Sequence, residues 1–587
     1  MAKSVNQNPN ARANIGYRDF DMSQHVEFTS TVAQLLPVYY DVLNPGDKIR
    51  ASQYMKTRTQ PLSSAAMAKI TEYIEWYFVP MEQIYKPFSS LFYGIQDFDS
   101  SLYAVYGDMP DIYEVFPHIK YFSFLSANTN LQARLNFKTL MGEQYYTQFV
   151  RLADHLGFPS HVFADMGTQA DANPFSFTPL LFCAYQKIFM DHYRDGDRIA
   201  NDPRAYNLDR YFNQDMGGDI GVMLDDFQQV RGMFEMRYRP LKKDFYTNVF
   251  PSPIFNSSSA SAQSFIGDDP LLKVNQWLTN IKDLDARSSL IGSGLSDDST
   301  TTILSQGAQD NFKLELNQPN IRTLFAADKL LELTRRAGKH YDAQTLAHFG
   351  VEVPKILSGE CYKLGAHKQD IIIGDVVSTS NTDDGALGSP LGEIGGKGYS
   401  AAGSREPVEF TAPCHGVLMA IYSAAPELDY YQEGMDKLNA LIEKSDFFIP
   451  EYDNLGMQPL FGYQTYLEER TTQQEYVSNS EIKGWQYRYM ELKQKINRIF
   501  TGMQHTQKHW TVGRNSSAVA GVDADKYYHD PASLNSIVEY QYLKGYDETG
   551  AVYMNASGIY ERDPLIHEIF FDVQKASKMS RYGLMDI

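Results

Sequence analysis

Few residues in this chain have types and spacings that could do chemistry, and each grouping falls short of the reaction it suggests. The run Gly392-x-x-Gly395-Gly396-Lys397-Gly398 has the composition of a phosphate-binding loop. Such a loop needs a glycine six residues before its lysine, where Leu391 stands, and Ser or Thr after it, where Gly398 stands. It reads instead as a flexible loop. His505 and His509 have the i, i+4 spacing of helical zinc ligands, but Thr506 occupies the position of the glutamate base. The acid pairs Asp97/Asp99, Asp297/Asp298 and Asp383/Asp384 read as solvated loops. A glycosidase sets two carboxylates across a cleft, which sequence neighbours do not provide. Cys183, Cys361 and Cys414 are far apart, odd in number and lack CxxC spacing, so they read as buried or incidental thiols. With no Gly-x-Ser-x-Gly elbow either, no catalytic, cofactor-binding or metal-ligating residue is assigned.

The elements that would position a site are strands. Hydrophobic residues make up 43% and aromatics 13% of the chain, ample for a large core and incompatible with wholesale disorder. Val26, Phe28, Val32, Leu36 and Val38 share one parity and predict a half-buried strand. Asn44-Pro45-Gly46-Asp47 predicts a turn, after which KIRASQYMKTR alternates again. Ile74, Trp76 and Phe78 alternate with Tyr73, Glu75 and Tyr77 in a strand that ends at Pro80. Strands joined by turns, without regular helix–strand alternation, predict a mainly β protein built on an antiparallel sandwich.

Longer excursions interrupt it. Residues 1–19 read as a flexible arm, 20–95 as the first strands and 96–225 as a mixed insertion with a helix around LLFCAYQKIFMDHYRD. Residues 226–251 read as a strand and Pro-punctuated loop, and 252–312 as a Ser-rich surface insertion. Inside that insertion Leu271, Val274, Leu278 and Ile281 form an amphipathic stripe. Residues 313–470 hold helices and later strands, with Asn320 capping a helix that runs to Arg336 and stops at Gly338. A loop is predicted over 377–404, then the strand GVLMAIYSA, then a helix with Met435, Leu438, Leu441 and Ile442 on its apolar side. The N-terminus lacks the apolar core of a signal peptide and no run is long enough for a membrane helix, which predicts no membrane insertion.

Five blocks in this order resemble one family. They are FTSTVAQLLPVYYDVLNPGD, EWYFVPMEQIY, RYRPLKKDFYTNVFPSP, NIRTLFAADKLLELTRRAGKHYDAQTLAHFGVEVP and YYQEGMDKLNALIEKSDFFIPEYDNLGMQPLFGYQ. Together they resemble the major capsid protein of the Microviridae, small single-stranded DNA phages, and most closely its gokushovirus-related branch. The resemblance implies an eight-stranded antiparallel jelly roll with long, partly helical inter-strand insertions. It implies a T=1 shell of sixty copies around a single-stranded DNA genome, assembled in the host cytoplasm. It further implies a small basic DNA-binding virion protein, a pilot or minor virion protein and a host surface receptor as partners. Residues 252–312 fall where that branch carries a threefold projection, and residues 471–587 are expected to wrap neighbouring subunits.

Charge bears on the genome. Lys and Arg number 53 against 72 Asp and Glu, a formal charge of −19, which opposes contact with a polyanion unless basic faces are segregated. Lys48, Arg50, Lys56 and Arg58 share one strand parity, with Tyr54 between them for base stacking. Arg237 and Arg239 share parity and are followed by Lys242 and Lys243. These nine residues are the genome-facing candidates. A carbohydrate-binding or glycan-degrading β-sandwich is the competing reading; only four Trp and the missing export signal count against it.

Overall fold

The computed structural model describes residues 16–93, 116–120, 143–158, 176–211 except 197, 232–252, 318–377 except 339, 394–453, 456–467, 481–538 and 563–579. Ten strands form its main β structure: β1 (Arg18–Asp21), β2 (Gln24–Ser30), β3 (Leu36–Leu43), β4 (Lys48–Thr59), β5 (Ile70–Pro80), β6 (Tyr362–Val377), β7 (Ile394–Gly403), β8 (Val408–Thr411), β9 (Gly416–Pro426) and β10 (Leu565–Ser577). The turn between β3 and β4 lies where the sequence put it. The Asp47 N–H donates to the Asn44 carbonyl at 3.0 Å, and Gly46 takes a φ of 88°, as the second central residue of a type II turn requires.

All pairings among these strands are antiparallel, and they sort into two sheets. One has the order β2-β10-β4-β7 and the other β3-β9-β5-β6. Strand β6 serves both, pairing with β5 through Tyr362–Ile371 and with β7 through Ile372–Val377. Strand β1 continues the β2 edge along β10, and β8 pairs with the start of β4. Two four-stranded sheets, with the chain crossing between them at each step except the β5–β6 pair, are the jelly roll, two interlocked Greek keys. Between them the buried rings of Tyr39, Trp76 and Phe571 meet at centroid distances of 5.3 to 5.7 Å. Aromatic side chains of this size contribute the largest apolar areas in such a core.

The two sheets differ on their outer faces. Alternation along β4 is complete, every second side chain being buried. In β5 the residues from Ile74 onward are all buried, as is the whole of β9. The cause is the insertion after β5, whose helices α1 (Glu143–His155) and α2 (Leu180–Ile188) pack on the second sheet. The Tyr185 hydroxyl donates to the Leu35 carbonyl at 2.9 Å, and the His155 ring lies 3.1 Å from the Pro37 carbonyl. A π-helical turn, Phe189–Tyr193, follows α2 and places the Tyr193 hydroxyl 2.9 Å from that of Tyr77 on β5.

Several expectations are corrected. Residues 394–403 are not loop but strand β7. Their glycines are there for contact: a Cβ on Gly396 would overlap the Ser64 carbonyl, and one on Gly398 would overlap the Thr59 side chain. The helix α3 spans Gln318–Ala337, so Asn320 lies inside it and does not cap it, although Gly338, at φ 90°, does end it. Helix α4 (Tyr341–Phe349) follows. No α-helix carries Met435, Leu438, Leu441 and Ile442. Asp436 accepts from the Leu438 N–H and turns the chain into a short 3₁₀ segment, Lys437–Ala440, leaving Ile442 exposed. The residues around Arg237 make only isolated bridges, Gln34 to Tyr238 and Pro240 to Tyr528, and no jelly-roll strand. Strand β10 belongs to the stretch expected to wrap neighbours, yet it lies inside the first sheet between β2 and β4. His505 follows one short 3₁₀ segment and His509 lies in the next, and both are exposed. Among the described residues no helix is long and apolar enough to cross a membrane.

Candidate nucleic-acid interface

Strand β4 turns Ile49, Ala51, Gln53, Met55, Thr57 and Thr59 inward. Lys48, Arg50, Tyr54, Lys56 and Arg58 therefore share the outer face of the first sheet, with Tyr54 48% exposed. The register with β10 sets Tyr54 opposite Phe570, Lys56 opposite Glu568 and Arg58 opposite Ile566. On the other side β7 sets Tyr399 opposite Arg58. Phe570, Ile566 and Tyr399 are each between 41% and 47% exposed, so four apolar or aromatic side chains stand among the cations. Rings beside cations on an open sheet suit stacking by unpaired bases.

Acidic neighbours moderate this face. Lys56 pairs with Glu568 at 2.7 Å and Arg50 approaches Glu409 at 3.7 Å, while His25 lies 3.6 Å from Glu568. The hydrogen bond from Lys56, and then its charge, hold the Glu568 carboxyl below the usual carboxylate range. These pairs are substantially exposed and add little stability, so a polyanion can exchange for their acids. Lys48 also reaches over the Tyr17 ring at 5.5 Å.

The other candidates lie elsewhere. Arg237 donates to Gln186 at 2.8 Å, pairs with Glu235 at 3.0 Å and stacks over Phe189. Arg239 is embedded against β5, 2.8 Å from both Glu75 and Ser423 and over the Tyr73 ring. Burial alone would raise the Glu75 carboxyl, but the charges of Arg239 and Lys363 and the hydrogen bonds of Lys363 and Tyr193 bring it down to about 2. Lys242 and Lys243 are exposed. The stripe Leu271, Val274, Leu278 and Ile281 and the three acid pairs lie outside the described residues. Sequence reasoning missed Ile566, Glu568 and Phe570; the strict alternation of LIHEIFFDVQKAS was the signal for them.

The chain is similar to known proteins. The sequence profile of the capsid protein (F protein) family matches residues 145–512. This chain belongs to that family. The chain is also similar to capsid protein VP1 of Chlamydia phage 1, 26% identical over 188 residues, or 31% of this chain and 30% of the relative. Against capsid protein VP1 of Bdellovibrio phage phiMH2K it is 24% identical over 351 residues, 53% of this chain and 62% of the relative. Each match thus spans less than two thirds of the relative's length. The resemblance to the Microviridae capsid protein is upheld by these matches. The family match starts after β5 and stops before β10, so strands β1–β5 and β10 of this F-family protein are known from the structure and not from the family profile.

Proposed function

We propose that this chain is the major coat subunit of a small single-stranded DNA phage, sixty copies of which close into a T=1 shell. One observation carries the reading: an F-family jelly roll has one sheet covered by its own insertion and the other open, with cations and rings along β4. The open sheet is the face we assign to the genome. Closure follows from symmetry, which multiplies contacts that are individually weak. No residue is given a catalytic role.

Net charge shapes the partner list. At −19 per copy the shell as a whole repels DNA, so a small basic virion protein packed with the genome would complement the β4 face. A pilot or minor virion protein and a host surface receptor complete the set, with residues 252–312 as the projection that meets the receptor and with assembly in the host cytoplasm. Electron microscopy of the protein expressed alone and beside its companion gene products tests the central claim. Hollow icosahedral particles of uniform size are expected; a protein that stays monomeric under both conditions refutes it.

A further inference from the structure

A second concentration of cations lies away from β4. A cleft of about 540 Å³ opens between the segment after α2, the chain leading to Phe250 and the C-terminal end of α3. Arg194, Lys243, Arg335 and Arg336 line it, and Asp195 is the sole acid among its described lining residues. That bias is notable in a chain of charge −19. Phe250, Tyr487 and Tyr527 line the same space. Guanidinium groups back two of these rings: Arg335 lies 4.9 Å from the Phe250 centroid and Arg198 lies 3.3 Å from that of Tyr527.

Part of the charge has local duties. Arg335 and Arg336 stand on the last turn of α3, where they offset its carbonyl dipole. Arg336 pairs with Glu332, and Lys243 lies 3.7 Å from Asp195. Both cations are more than half exposed, and the Arg336–Glu332 pair, exposed on both sides, is weak and exchangeable, whereas Lys243 reaches toward a largely buried Asp195. Arg194 is held differently. Its Nε and Nη1 donate to the carbonyls of Met190 and Ile199 at 3.1 and 2.8 Å, neutral acceptors that fix its plane without cancelling its charge. The cleft's volume is within the range of about 300–1,000 Å³ typical of small-ligand sites.

We propose that this cleft binds a nucleotide unit, free or within a single strand, with its phosphate on Arg194, Lys243 and Arg336 and its base against the Phe250–Tyr487 wall. Phosphate fits because arginine's planar fork matches its oxygens, and the base fits against the half-buried Tyr487 ring, which the buried Phe250 backs edge-on. The site is separate from the β4 face and does not depend on that assignment.

The test uses unassembled full-length protein and fluorescence anisotropy, with a labelled oligothymidine decamer and a labelled adenosine monophosphate as probes. The double variant Lys243→Gln/Arg336→Gln alters two exposed side chains and should fold. It is expected to weaken both probes at least tenfold and to make decamer binding less steep in salt. Neutralising Lys48, Arg50, Lys56 and Arg58 should leave adenosine monophosphate binding within twofold of the parent. Loss with the decamer alone would still place the strand in the cleft. Unchanged binding of both probes in the double variant overturns the proposal. So does saturable binding of an oligoglutamate peptide that needs Lys243 and Arg336 while neither nucleotide probe binds, since the cleft would then serve an acidic protein segment.

Discussion

The His567 ring and the Glu72 carboxylate face each other 3.5 Å apart in the closed interior of the sandwich, both with fully buried side chains. Around them converge Ser30 from β2, Thr57 from β4, Gln369 from β6, Ser400 from β7 and Tyr422 from β9. Every strand of the two four-stranded sheets except β3 therefore contributes to one polar cluster. Thr57, Ser400, Tyr422 and Gln369 all donate to Glu72, at 2.6 to 2.9 Å. Because the Thr57 hydroxyl has one proton and gives it to Glu72, its oxygen accepts from His567 Nδ1–H at 2.9 Å.

Replacing Glu72 by Gln keeps the shape and removes the charge. Burial pushes the Glu72 carboxyl up, but the hydrogen bond and charge of His567, with Ser400 and Thr57, hold it down to about 2. A lowered carboxylate value stabilises the fold above its ordinary value of 4.5, and that contribution is lost as pH falls from 4.5 toward 2. Thermal melting should show Glu72→Gln destabilised by about 3 kcal/mol at pH 7, with the difference from the parent shrinking as pH drops through that window. A constant difference across the window contradicts the pairing.

The Glu75 cluster should divide by charge. Tyr193→Phe removes a hydroxyl that donates to the Glu75 carboxylate and accepts from Tyr77, and is expected to cost about 2 kcal/mol. Glu75→Gln strands Arg239 and Lys363 and should cost about 3 kcal/mol or more. Melting curves of both variants, measured together, decide the order.

Gly396→Ala places a methyl on the Ser64 carbonyl, where backbone must move. Folded yield is expected to collapse, whereas Gly374→Ala, on β6 with open space around it, should express like the parent. Equal yields would mean that β7 does not pack against Ser64.

Neutralising Lys48, Arg50, Lys56 and Arg58 together should lower the fraction of genome-filled particles more than the total particle number. Sedimentation separates filled from empty shells, and equal loss of both would make the cluster structural.

Deleting residues 256–312 should leave particles that assemble but adsorb poorly to host cells. Normal adsorption by such particles removes the receptor role from this segment.

What the sequence made legible was governed by local rules. The Pro45–Gly46 turn, the parity of β4 and the stop at Gly338 each follow from one residue's backbone preference or from a period of two. Strand β7 was hidden because its glycines signal a loop locally, while their reason is the neighbouring backbone at Ser64. The helix expected at 435–442 failed because the Asp436 side chain captures a backbone N–H that a helix would need elsewhere. Basic residues were legible as charges but not as sites. Lys56 and Arg239 look alike in sequence, yet one stands on an open sheet and the other is held by a buried glutamate 164 positions away.

Strand β10 completes the first sheet from far along the chain, its His567 meeting Ser30 across 537 positions. A nascent polypeptide that has emerged only through β9 has β2 and β4 made but nothing to lie between them. Its interior stays wet and two strand edges stay unsatisfied until β10 has emerged. The closing step thus waits for β10, and a fragment that lacks it holds no finished surface on which a neighbour could begin a shell.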